Sequence, residues 1–152
     1  MSKTVAAYIL CLLGVAVASC TQPQRSSCFK NMDGWAEGQT ADLRLDLSDT
    51  ASAQTLFISS SAIEDAMGKD ITLYLSFKSP SGNIFRDTVN LKFEKTEESR
   101  IIRQGRQIQI LWPYLEIGKL SEEGEWTISL DREKNNNTVY SLIRGVGISV
   151  SR

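Results

Sequence analysis

The chain has 152 residues, with 17 Lys and Arg against 18 Asp and Glu, and no histidine. The balanced charge offers no basic surface for nucleic acid and no polybasic segment for anionic lipid. The missing histidine excludes a Ser-His-Asp triad, a Cys-His pair and Cys-His metal sites.

At the N-terminus Lys3 precedes an apolar run from Val5 to Val17. This is the charge-then-apolar order of an export signal. The run is shorter than the roughly 20 apolar residues that cross a bilayer. It ends in Val17-Ala18-Ser19-Cys20, which resembles a bacterial lipobox; an ordinary signal peptide followed by a chance cysteine is the alternative. The expectation is a lipoprotein signal peptide at 1–19, cleavage before Cys20, and acyl chains, palmitate among them, on Cys20. The protein then reaches its membrane through a lipid anchor and does not span it. Thr21 to Ser27 is polar and lacks acidic residues, so neither an Asp retention signal nor an acidic surface-export signal is present. The expected location is the outer membrane, facing the periplasm. Residues 20–32 read as a lipidated tether and 33–152 as one domain. Cys11 leaves with the signal and Cys20 takes the lipid, so Cys28 remains as a free thiol near the tether.

The ordered part reads as all-β. Leu43, Leu45 and Leu47 alternate with Asp42, Arg44 and Asp46, the period of a half-buried strand. Thr55–Ser59 is a second strand. Ser61–Gly68 has helix-like apolar spacing, with Ser61 and Glu64 placed as a capping box; a short helical crossover or a loop is expected there. Ile71, Leu73, Leu75 and Phe77 share one strand face. Ser79-Pro80-Ser81-Gly82-Asn83 supplies turn chemistry, and alternation resumes through Val89, Leu91 and Phe93. This hairpin is expected at the heart of the fold. Glu94–Arg106 reads as a charged loop. Ile108, Ile110 and Trp112 alternate until Pro113 interrupts. Trp126, Ile128 and Leu130 form a further inward face, Asn135-Asn136-Asn137 an exposed turn, and Val146, Ile148 and Val150 the last strand. Some seven short strands between turn signals predict an antiparallel β-sandwich, jelly-roll or immunoglobulin-like, with a closed barrel as the alternative. Leu73, Leu75, Val89, Leu91, Trp126, Ile128, Val146 and Ile148 are its expected core.

No motif specifies a reaction. There is no phosphate-binding loop and no dense carboxylate loop for calcium, so neither catalytic residue, metal nor cofactor is expected. Glu97-Glu98 and Glu122-Glu123 are adjacent pairs, and neighbours on an extended segment point opposite ways; they read as solvated charges. Of the aromatics, Trp112 and Trp126 are in phase with core residues. Trp35, Tyr74, Tyr114 and Tyr140 remain as surface candidates, with Trp35, Tyr74 and Tyr114 the set on which a carbohydrate ligand would stack. Asp49-Thr50-Ala51 and Asp87-Thr88-Val89 resemble the Asp-Ser/Thr-apolar sites of O-glycosylation in exported Bacteroidetes proteins. The first lies in a loop, making Thr50 the candidate; the second reads as a strand-pairing element.

Leu73 to Asn83, followed by Asp87-Thr88-Val89, resembles the strand, P-x-G turn and DT strand of the GldH gliding-motility lipoproteins. Gly124-Glu125-Trp126-Thr127-Ile128 and Leu142 to Val150 resemble two later strands of that family, and Trp35 an early family tryptophan. The resemblance covers residues 33 to 151 in order. Where the family has a glycine-rich stretch, Glu94–Leu111 is charged and holds only Gly105. The resemblance implies a non-catalytic lipoprotein of the Bacteroidetes envelope, with protein partners in a gliding-motility or secretion-related assembly. A carbohydrate-binding sandwich is the alternative.

Overall fold

The computed structural model describes residues 27–48, 50 and 54–151. The expected signal peptide and Cys20 lie outside the described residues. Among the described residues nine strands form two antiparallel sheets. They are β1 (Ser27–Asn31), β2 (Ala41–Leu47), β3 (Thr55–Ile63), β4 (Asp70–Lys78), β5 (Ile84–Lys92), β6 (Arg100–Gln104), β7 (Gln107–Glu116), β8 (Gly124–Arg132) and β9 (Ile143–Ser151). A four-residue helix α1 (Asn137–Tyr140) precedes β9. The larger sheet has the order β1-β9-β3-β7-β6 and the smaller β2-β8-β4-β5. The chain crosses between the sheets at each connection except the β4–β5 and β6–β7 hairpins, the strand order of a jelly roll with β6 added at one edge.

The core follows from period-2 patterning. Leu43, Leu45 and Leu47 of β2, Ile71, Leu73, Leu75 and Phe77 of β4, and Trp126, Ile128 and Leu130 of β8 are buried from the smaller sheet. Leu56 and Ile58 of β3, Ile108, Ile110 and Trp112 of β7, and Val146, Ile148 and Val150 of β9 meet them from the larger one. Two faces that would each be wetted alone are thus removed from water together.

Several expectations change. The domain includes Ser27–Asn31, expected in the tether before residue 33, because β1 pairs with β9 along its whole length. Cys28 therefore belongs to a strand. Ser61 is not a helix cap: β3 is paired with β7 and β9 on both sides as far as Ile63. Only Glu64–Ala66 turns, as a 3-10 helix without a side-chain cap. Pairing on two flanks outweighs the local helical spacing of this segment. The charged segment before Gln107 contains β6, joined to β7 across Gly105 at φ 61°. Its alternation was hidden because β6 is an edge strand, with Ile101 half-buried and Ile102 exposed. Pro113 does not stop β7. The register steps from Phe57 opposite Pro113 to Leu56 opposite Leu115, leaving Tyr114 as a bulge that accommodates the proline. Finally, the β4–β5 hairpin lies at an edge of its sheet and not at the centre. Val89 and Leu91 are accordingly only half-buried.

Candidate functional site

The outer face of the larger sheet is where small residues meet exposed apolar ones. On β9 the outward positions include Gly145 and Gly147, opposite Asn31 and Phe29 of β1. The Phe29 ring lies over both. A Cβ on Gly147 would sit 2.6 Å from Phe29 Cδ2 and 2.5 Å from the Cys28 carbonyl oxygen. Glycine at these two positions lets an aromatic ring lie flat on the sheet while it remains 42% exposed. Ser59 and Ser61 of β3 continue the low floor. Phe57, Leu111 and Arg100 rise on its far side, leaving a trough of about 340 Å³ beside Phe29. A second depression, about 160 Å³, follows between Phe29, Ser61, Ile102 and Gln109. Ile102 is 50% exposed. Exposed apolar side chains gathered on one face and rimmed by polar groups mark contact surfaces.

The aromatic set foreseen for a carbohydrate does not assemble on one face. Trp35 is 2% exposed and packs edge-on against Tyr140, with ring centroids 6.2 Å apart. Its Nε1 donates to the Gln39 carbonyl at 2.6 Å. Trp35 is a core residue, and so is Tyr140, because α1 and the Trp35 segment close one end of the sandwich. Tyr74 is exposed on the outer face of the smaller sheet, beside a depression formed with Arg86, Thr88 and Asp131. Tyr114 points between the sheets. Its ring stacks on Phe77 at 5.7 Å and its hydroxyl donates to Asp87 Oδ2 at 2.7 Å. Burial, and then the Asp87 carboxylate, push this phenol well above its ordinary range. Thr50 is partly exposed in the β2–β3 connection.

Among the described residues no group of three or more His, Cys, Asp or Glu side chains is placed to hold a metal ion. Glu97, Glu98 and Glu123 are exposed. Glu122 is engaged: its carboxylate accepts from Ser81 N at 3.0 Å and Ser81 Oγ at 2.8 Å, bracing the β4–β5 turn. Those bonds hold its carboxyl below the usual value. Cys28 is half-buried, and desolvation raises its thiol.

Arg132 went unnoticed in sequence, although it falls in phase with Leu130 and Ile128 on β8. It is buried, with its guanidinium carbon 4.7 Å from the centre of the Tyr140 ring. Nη2 donates to Asn137 Oδ1 at 2.6 Å, while Nε and Nη1 have no partner among the described residues. The aromatic face supplies part of the stabilisation that the two nitrogens lack. The signal was a cation at an inward strand position. The trough itself had a fainter one: glycines at alternate positions of the last strand, where side chains are expected.

No protein-family model, no characterised protein and no solved structure matches this chain.

Proposed function

We propose that this protein is a non-catalytic envelope lipoprotein that works through protein contacts on the outer face of its larger sheet. The observation that carries the reading is the trough in which Phe29, Phe57, Leu111 and Ile102 stand among Ser59, Arg100 and Gln109. Phe29 and Ile102 leave apolar surface in water on this face, rimmed by polar side chains as contact surfaces are. Lipidation of Cys20 fits the same picture. Six residues lie between Cys20 and Ser27 at the start of β1, a span of at most about 25 Å. The trough borders β1, so a partner held at the same membrane lies within its reach. The resemblance to the GldH lipoproteins supplies the assembly, one concerned with gliding motility or the secretion that accompanies it, on the periplasmic side of the outer membrane.

The test uses the full chain in native envelopes, with a photo-crosslinking amino acid at Ile102 or Leu111. Covalent capture of envelope lipoproteins or secretion components, with capture at Leu111 reduced at least tenfold by Ile102→Lys and unaffected by Tyr74→Ala, supports the reading. No capture at either position, or capture indifferent to Ile102→Lys, overturns it. Glycan binding that is lost on Tyr74→Ala transfers the function to carbohydrate recognition. Intact-mass analysis decides the anchor separately: a mature chain whose terminal Cys20 carries no acyl group removes it.

A further inference from the structure

The second strand of the β4–β5 hairpin has an open side. Ser79 N donates to Asn83 O at 2.8 Å at one end of the hairpin, and Phe93 N to Lys69 O at 3.0 Å at the other. Both are closely bonded pairs, and the register between them is unbroken. Closely bonded and open pairs alternate in an antiparallel ladder. Phe85, Asp87, Val89 and Leu91 therefore bond to β4, while Ile84, Arg86, Thr88, Asn90 and Lys92 aim their backbone groups outward. The Lys92 carbonyl is taken by Trp112 Nε1 at 2.9 Å. The Thr88 N–H is held by the exposed Asp87 Oδ1 at 2.8 Å. No described strand covers the rest.

Natural sheets shield such edges by shortness, by charge or by a covering segment. The other edges here follow that rule. β1 and β6 have five residues each. β2 alternates exposed Asp42, Arg44 and Asp46, and Lys30 of β1 reaches across to the Thr40 carbonyl at its start. β5 carries the charges Arg86, Asp87 and Lys92, but it has nine residues, without proline, glycine or bulge, and exposes Ile84 and Phe85 at 55% each.

We infer that β5 pairs with β5 of a second copy of this chain, antiparallel, about a two-fold axis at Thr88. The charges on the strand select both occupant and register. An axis at Arg86 opposes Arg86 to itself, one at Asp87 opposes Asp87 to itself, and one at Val89 opposes Arg86 to Lys92. Like charges directly opposite are destabilising. The axis at Thr88 opposes no like charges and pairs all nine residues, whereas one at Asn90, equally free of like charges, pairs only Thr88 to Lys92. It sets Thr88 against Thr88 and Arg86 against Asn90. On the core side Phe85 meets Leu91, so an exposed ring gains an apolar neighbour. Because Tyr74 pairs with Thr88 and with Asp131 inside each sheet, the row Asp131–Tyr74–Thr88 runs on into its own image. The two smaller sheets become one. Asp87 Oδ1 gives up the Thr88 N–H to the facing Thr88 carbonyl and stays in water, while Oδ2 keeps Tyr114.

This inference is independent of the trough. Its test is cysteine crosslinking of the full chain in its own membrane, in a Cys28→Ser background under mild copper-phenanthroline oxidation. Residues opposed in a closely bonded pair have Cα atoms about 5.5 Å apart, within disulfide range. Thr88→Cys is expected to give covalent dimer as the major species. Ile84→Cys alone should give at least tenfold less, because the two Ile84 positions lie roughly 26 Å apart along the strands. Ile84→Cys combined with Lys92→Cys should restore the crosslink. Arg86→Pro, which removes an outward N–H and none of the bonds to β4, should abolish the Thr88→Cys dimer. Equal crosslinking at positions 84 and 88, none at 88, or capture of a different protein by Thr88→Cys overturns the inference.

Discussion

Replacing Tyr140 by Phe removes one oxygen atom and tests how the end of the sandwich is closed. Thr72 of β4 faces Asn90 in an open pair, so its backbone groups point toward β8. The pairing with β8 stops at Leu73 opposite Arg132, which leaves Thr72 without a strand partner on that side. Tyr140 takes the place of the missing strand. Its hydroxyl donates to the Thr72 carbonyl at 2.7 Å and accepts from the Thr72 N–H at 3.0 Å. Glu133 N also reaches the carbonyl, at 3.1 Å, so only the N–H is orphaned when the phenol goes. The loss is one hydrogen bond and one unsatisfied donor in a region closed by a fully buried side chain, about 1–3 kcal/mol in all. For a domain of this size that is roughly 3–10 °C in Tm. Urea unfolding and calorimetry of Tyr140→Phe beside Tyr74→Phe measure it. The exposed Tyr74 serves as control and should stay within about 0.5 kcal/mol of the parent. If Tyr140→Phe also changes nothing, water already satisfies Thr72 and α1 does not seal this end.

Tyr114 gives a pH-dependent outcome. Its phenol is raised in the fold, so its contribution is complete below the unfolded value near pH 10 and is lost as pH climbs from there toward the folded value. Alkaline unfolding of Tyr114→Phe should therefore be less steep than that of the parent. Identical alkaline limbs would show that the Asp87 contact does not persist in solution. Cys28, raised by burial, should react with iodoacetamide more slowly in the native chain than in urea, because the thiolate is the nucleophile. Peptide mapping of Cys28 reads this directly, and equal rates would mean that β1 is not docked.

What was legible in the sequence divides along burial. β2, β4, β8 and β9 each commit one face to the interior, and period 2 located them and most of their core residues. β1 and β6 escaped because they are five-residue edge strands whose apolar residues partly face solvent; Phe29 and Ile102 do not alternate with a buried set. Ser61 misled because the residues around it suit a helix, while two strands that start far away in sequence compete for its backbone. The aromatic candidates failed on position. Trp35 belongs to no strand, so no period could place it, and only the tertiary closure with Tyr140 decides that it is buried. The outer-face trough depends on β1 lying beside β9, a pairing across most of the chain that a linear pattern does not reveal.

The two proposed contact surfaces sit on different sheets, and this makes their consequences separable. β1 borders the trough at one edge of the larger sheet, whereas β5 is the opposite edge of the smaller one. If pairing through β5 leaves the outer face of the larger sheet open, a dimer presents two troughs. A partner that is itself repeated then binds with the second contact made at high effective concentration, typically strengthening attachment by orders of magnitude without any new kind of contact. Arg86→Pro should therefore weaken partner capture at Ile102 while leaving the isolated trough intact. Ile102→Lys should abolish capture while leaving the Thr88→Cys dimer unchanged. Capture that is as strong in Arg86→Pro as in the parent would mean that the trough works alone, and that pairing through β5 serves some purpose other than avidity.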